Sequence, residues 1–266
     1  MWVRACSLRR AALFLLGLSC APQAPITMPV HSAARAETEP ARPLAAEGRA
    51  AGVGALRQLE LRGFGPAVFF EPAGTDARPL LVAAHGAGGA PEWECEYWRR
   101  LTNDRVFVLS LRGTPLGTYP GYYYRDHRAL EQELTAADAA ARALQPRILS
   151  GSGLYAGFSQ GATMGSAMIT AHVAAFPYLV LVEGFDAWNV PRGEAFARNG
   201  GKRILLGCGS KECNKVGQVS AHWLRKANVE ARLEFAPGEG HTPMGGVLRR
   251  IEGALPWLVA DDPAWQ

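Results

Sequence analysis

The chain has 266 residues, 48% of them hydrophobic and 20% charged, enough to bury the core of one large α/β domain. Its formal charge is +4, and Arg4, Arg9 and Arg10 supply three of those positives within a 20-residue stretch that holds no acid. The remaining +1 lacks the basic footprint that a nucleic-acid partner demands.

Residues 1–20 read as an export signal, with a basic start followed by the apolar run Ala11–Leu18. Eight apolar residues are too few to cross a bilayer, which takes roughly 20 in a helix. Cys20 follows Gly17-Leu18-Ser19 and resembles a bacterial lipoprotein cleavage site, although Gly17 stands where an aliphatic residue is usual. Lipidation of Cys20 would give a membrane tether. The alternative is plain secretion, with cleavage near Ala34-Arg35-Ala36. Arg9-Arg10 hints at twin-arginine export without its usual flanking residues. The expected location is therefore that of an exported bacterial protein, either a periplasmic or outer-membrane lipoprotein or a secreted protein. Residues 21–54, rich in Ala, Pro, Arg and Glu without an apolar period, read as a flexible tether ahead of a domain over 55–266.

From Leu56 onward short apolar runs alternate with helical patterns. Leu56–Leu61 and Ala67–Phe70 predict a strand pair, followed by strands at Leu80–Ala84, Val106–Leu111, Leu154–Phe158, Tyr178–Val182, Arg203–Leu206 and Ala231–Phe235. The later runs are continuous rather than alternating, as parallel strands covered on both faces require. Helices are expected over 128–145, 160–175, 215–227 and 244–258. The alternation predicts an α/β fold with a mostly parallel sheet and helices on both faces, whose ligands sit beyond the carboxyl ends of the strands.

Past the signal the cysteines are Cys95, Cys208 and Cys213. An oxidising compartment favours a disulfide, and Cys208–Cys213 is the closest pair. Their spacing and the lack of partner histidines argue against a zinc site.

Four elements carry chemistry. Gly157-Phe158-Ser159-Gln160-Gly161 joins a strand to a small-residue helix, so the Ser159 hydroxyl would project above the sheet edge beside a helix N-terminus. His85-Gly86-Ala87-Gly88-Gly89 follows the strand LLVAA, and its glycines let amides turn toward a substrate oxygen. The amides of Ala87 and Gln160 are the expected oxyanion donors, and His85 is expected to order the loop. His241, in the glycine-rich loop after the last strand, returns an imidazole to the edge that carries Ser159. Of the other histidines, His31 lies in the tether, His172 and His222 fall in helical patterns, and His127 sits in an aromatic loop. For the acid that orients the base, Glu212 after RILLGCG is favoured over Asp186 after the preceding strand.

The order Ser159, acid, His241, with the His85-Gly86 loop upstream, resembles the α/β-hydrolase superfamily. Gly157-Phe158-Ser159-Gln160-Gly161-Ala162 is similar to the phospholipase/carboxylesterase and acyl-protein thioesterase branch, and to dienelactone-hydrolase-like and polyester-depolymerase-like esterases. The resemblance covers roughly residues 66–258. It implies a serine hydrolase that cleaves small carboxylic esters through an acyl-enzyme, with Ser159, His241 and Glu212 as the triad and no metal or organic cofactor. Glu212 stands where that branch usually has Asp, which keeps Asp186 open as the acid.

Two aromatic groups lie between the His85-Gly86 loop and the Ser159 turn: Trp93, Tyr97 and Trp98, then Tyr119 and Tyr122–Tyr124 near Arg112, Arg125 and His127. Trp93, Tyr122, Tyr123 and His127 either contact substrate or belong to a rim packed over the sheet edge. Competing functions are an exported peptidase or amidase of the same fold, or a catalytically silent binding protein.

Overall fold

The computed structural model describes residues 54–185 and 188–266. The expected export signal, Cys20 and all but the last residue of the tether lie outside them, as does Asp186.

The chain runs β1 (Leu56–Leu59), β2 (Ala67–Phe70), β3 (Leu80–Ala84), α1 (Pro91–Leu101), β4 (Phe107–Leu111), β5 (Thr114–Pro115), β6 (Tyr122–Tyr123), α2 (His127–Leu144), β7 (Leu154–Phe158) and α3 (Gln160–Met168). It continues with β8 (Tyr178–Val182), α4 (Val190–Arg198), β9 (Arg203–Cys208), α5 (Lys211–Lys226), β10 (Glu230–Phe235) and α6 (Gly245–Leu258). Eight strands form one sheet in the order β1-β2-β4-β3-β7-β8-β9-β10. β1, β2 and β4 pair antiparallel in succession, and the six strands from β4 to β10 are parallel. The continuous apolar runs are buried at every position of β2, β3, β4 and β8, as strands covered on both faces must be.

Two cores flank the sheet. On one face α1 and α6 bury Cys95, Trp98, Leu101, Val247 and Ile251. On the other α2, α3, α4 and α5 bury Leu130, Leu134, Ala162, Phe196 and Leu224.

Helix α1 was not anticipated. Its buried stripe includes Glu94 among Cys95, Trp98 and Leu101, and a carboxylate in an apolar stripe masks the helical period. The helix expected over 160–175 stops at Met168 and passes into a 3₁₀ turn, Ile169–Ala171. Ile169 and Thr170 are β-branched and poor continuations of a helix. Helix α5 starts a turn before its expected position because Ser210 caps it, accepting from Cys213 N at 3.2 Å. Cys208 and Cys213 form the expected disulfide across that first turn, with Cα atoms 5.5 Å apart.

Candidate active site

The tightest point of the fold is the passage from β7 into α3. Ser159 sits there with φ 49° and ψ −110°, a backbone state that costs a residue with a side chain on the order of 1–3 kcal/mol. The surroundings enforce it. Ser159 N donates to Val182 O at 2.8 Å, Thr163 N to Ser159 O at 2.9 Å, and Gly161 N to His85 O at 3.1 Å. A Cβ on Gly161 would strike the Ala84 carbonyl, and one on Gly184 the carbonyl of Ser159 itself. Glycine at both positions lets β3, β7 and β8 close around the turn.

The loop after β10 brings His241. Ala236 N donates to Cys208 O at 2.8 Å and Gly240 N to Gly209 O at 3.3 Å, so the loop is pinned to the end of β9. His241 Nε2 then lies 2.8 Å from Ser159 Oγ, with the Phe158 ring 5.3 Å from the imidazole. The other ring nitrogen, Nδ1, faces a carboxylate at 3.2 Å.

That carboxylate belongs to Glu183, and not to Glu212, which the sequence reading placed beside His241. Glu212 lies exposed in the first turn of α5, and among the described residues it makes no ion pair or hydrogen bond to His241. Glu183 is the first residue after β8, with φ 55° and a side chain 1% exposed. Its Oε1 accepts from Gly209 N and from Ser210 N, the latter at 2.9 Å. Its Oε2 accepts from Ser210 Oγ at 2.9 Å and faces His241. The loop expected to carry the acid instead supplies the donors that hold it. The signal in the sequence was a lone glutamate directly behind the apolar run YLVLV and ahead of Gly184.

On the other side of Ser159 stands the loop from His85 to Gly89. Gly88 N donates to Tyr122 O at 2.8 Å and Tyr122 N to Gly89 O at 2.9 Å, so β6 is laced to the loop. Arg112 clamps the assembly through Tyr122 Oη (2.9 Å), Glu92 (2.7 Å) and Pro66 O (2.5 Å). His85 is fully buried, with Nδ1 2.7 Å from Gly86 O and Nε2 2.9 Å from Arg112 O. Burial holds its pKa below the ordinary value while the two carbonyls pull the other way, and the ring ties the loop at Gly86 to Arg112. The amides of Ala87 and Gln160 are left without an acceptor among the described residues, Gln160 N being in the first turn of α3.

No protein-family model and no curated protein sequence matches the chain. Solved structures do match in three dimensions. A Bacillus cereus uncharacterized protein aligns with a TM-score of 0.60 at 16% identity, over 71% of this chain and 62% of that one. The Pyrococcus horikoshii acylaminoacyl peptidase gives 0.56 at 12% identity, over 77% of this chain. The chain spans less than two thirds of these two proteins, only 40% of the peptidase. FphF, a fluorophosphonate-binding serine hydrolase of Staphylococcus aureus, gives 0.57 at 15% identity, over 79% of this chain and all of that one. The fold is that of the α/β-hydrolases.

Within this α/β-hydrolase fold the remaining expected residues occupy distinct places. Tyr122 braces the loop from His85 to Gly89 through its main chain and hydroxyl. Tyr123 pairs with Thr114 in the small hairpin β5–β6. His127 opens α2 on the exposed surface. Trp93, 41% exposed, stacks on Tyr97 in the first half of α1. The Gln160 side chain is held in place, its Oε1 accepting from Tyr124 N at 2.8 Å. Glu183, Cys208 and Cys213 crowd together, but the two sulfurs are bonded to each other and offer a metal nothing.

Proposed function

We propose that the chain is a serine hydrolase acting on carboxylic esters, with Ser159 as nucleophile, His241 as base and Glu183 as the acid that orients it. The observation that carries this reading is the continuous path Ser159 Oγ, His241 Nε2, His241 Nδ1, Glu183 Oε2, with steps of 2.8 and 3.2 Å across the ring. Because the Glu183 carboxylate accepts a hydrogen bond from Nδ1–H and so fixes the proton there, Nε2 is left as the acceptor that a serine hydroxyl needs.

In this mechanism His241 removes the Ser159 proton as Oγ attacks the ester carbonyl. The oxyanion forms against the amides of Ala87 and Gln160, with the N-terminus of α3 behind it. His241 passes its proton to the leaving alcohol, and an acyl-serine remains. Water then attacks with His241 as base, which releases the acid and restores the hydroxyl. The strained φ of Ser159 holds the nucleophile out of the helix that follows.

The test uses purified protein, short-chain p-nitrophenyl esters and a fluorophosphonate probe. Nitrophenol release and probe labelling are expected, both lost in Ser159→Ala. Labelling that persists in Ser159→Ala refutes the nucleophile, and an unlabelled, inactive wild type refutes the enzyme.

A further inference from the structure

The amides of Ala87 and Gln160 come from the ends of different strands, so contacts outside those strands must fix the spacing between them. β3 and β7 are neighbours with Ala84 opposite Gly157, and the loop and the turn leave them side by side. At the root, Gly161 N donates to His85 O at 3.1 Å. At the tip of the loop, Gly88 N donates to Tyr122 O at 2.8 Å, and Gly89 O accepts from Tyr122 N at 2.9 Å. Two residues further along, Tyr124 N donates to Gln160 Oε1 at 2.8 Å. These bonds close a ring, from the loop to α3 at the root, from α3 to the Tyr122–Tyr124 strap through Gln160, and from the strap back to the loop. Ala87 and Gln160 both lie on it.

Every link of this ring joins backbone to backbone except the one made by the Gln160 carboxamide. That group grips a fixed point. Tyr124 is 2% exposed, its hydroxyl donates to Leu111 O at 3.1 Å, and its ring stacks on His85 at 4.9 Å. The strap has no slack, since a Cβ on Gly121 would strike the Gly88 carbonyl and one on Gly113 that of Tyr123.

We infer that Gln160 acts through its side chain as a positioning residue, tying α3 to the strap and so setting the distance between the two oxyanion donors. The inference rests on the proposed esterase reading and adds the device that keeps its oxyanion site in register. A misplacement of about 1 Å around a reacting centre costs on the order of a hundredfold in rate. Outright loss of one oxyanion donor costs on the order of a hundredfold to a thousandfold. Cutting the Gln160 link leaves the backbone links of the ring in place, so the expected loss is about tenfold to a hundredfold.

The experiment compares wild type with Gln160→Met, which keeps the length of this half-buried side chain and removes the acceptor. A second variant, Gly121→Ala, pushes the strap off the loop from its other end. Active sites are counted by fluorophosphonate titration, and p-nitrophenyl acetate hydrolysis is followed across pH. An alkyl trifluoromethyl ketone is the second probe, because it adds to the serine Oγ as a hemiketal whose oxyanion needs the same amides. In both variants kcat per active site is expected to fall about tenfold to a hundredfold, with KM within about threefold. The inhibition constant of the ketone is expected to rise by the same factor. The apparent pKa of the kcat profile is expected to stay at its wild-type value, because the path from His241 to Glu183 is intact. A Gln160→Met enzyme with kcat and inhibition constant within about twofold of wild type overturns the inference. So does a loss accompanied by a displaced pH profile, or a loss of stability with kcat per site unchanged. The esterase reading fails separately, if the wild type takes no probe and cleaves no ester.

Discussion

Replacing Glu183 by glutamine tests the assignment of the acid most sharply, because the geometry forbids a neutral substitution. Four donors converge on the two oxygens: Gly209 N and Ser210 N on Oε1, and Ser210 Oγ and His241 Nδ1 on Oε2. Glutamine must aim its amide nitrogen at one pair. Two backbone N–H groups cannot reverse, so the nitrogen turns to the other side, where the Ser210 hydroxyl can rotate to accept from it. The imidazole can comply only by moving its proton to Nε2, which leaves Ser159 Oγ facing a donor instead of a base. The same tautomer trap in serine proteases costs roughly 10⁴ in kcat, or about 5 kcal/mol of transition-state stabilisation. We expect that loss in kcat on p-nitrophenyl acetate, with KM within about threefold, because the acyl and oxyanion contacts are untouched. Glu212→Gln, at an exposed position, should stay within about twofold of wild type. A Glu183→Gln enzyme within tenfold of wild type, or a hundredfold loss in Glu212→Gln, would refute the reasoning.

Three further outcomes follow from groups around the site. Glu94 is buried, accepts from Trp98 Nε1 at 3.2 Å on one oxygen, meets no partner among the described residues on the other, and has its pKa pushed up to about 7 by desolvation. Its folded pKa exceeds the unfolded value of 4.5, so its contribution to stability is complete below pH 4.5 and is lost as pH rises through 7. The amount is about 3 kcal/mol, and urea unfolding at pH 5 and pH 8.5 should show Glu94→Gln flattening the dependence and surpassing wild type at the higher pH. Reducing the Cys208–Cys213 bond, or replacing both cysteines by serine, should cost about 2 kcal/mol from its short loop. It should also lower kcat, since Gly209 and Ser210 inside that loop hold Glu183; calorimetry and kinetics with and without dithiothreitol check both. Arg112→Met removes the clamp on Tyr122 and Glu92, and should cut kcat roughly tenfold to a hundredfold with little change in KM. An equal change in both constants would mean that Arg112 binds substrate instead of bracing the loop.

What the sequence made legible follows from how local each signal is. The parallel strands are short apolar runs bounded by turn residues, and β3, β7 and β8 fall on their expected bounds because nothing in those runs departs from the pattern. Ser159 and His241 were readable because the physical demand lies in adjacent residues: room for a strained serine, and a glycine-rich loop after the last strand. Helix α1 failed that test through Glu94. Helix α4 escaped because its buried face is carried by little more than Gly193 and Phe196. Tyr122 and Arg112 act through contacts with distant residues, so their bracing of the His85–Gly89 loop was not visible in a linear pattern.

A carboxylate facing His241 can arrive from either of two neighbouring strand ends. β8 and β9 are adjacent parallel strands, about 4.8 Å apart, so the residues that follow each arrive at the same edge within reach of one imidazole. A carboxylate from either could serve. What decides between them is which side chain the other loop can hold. The turn after β9 opens α5, and its Gly209 and Ser210 amides with the Ser210 hydroxyl point back toward the end of β8. An acid placed on that turn would have to bend past the donors of its own helix start, whereas one at the end of β8 meets them head on. The positive φ of Glu183 turns its side chain there, and the length of glutamate spans the remaining gap to His241. The position of the acid is thus set by the donors that hold it, more than by its order in the chain.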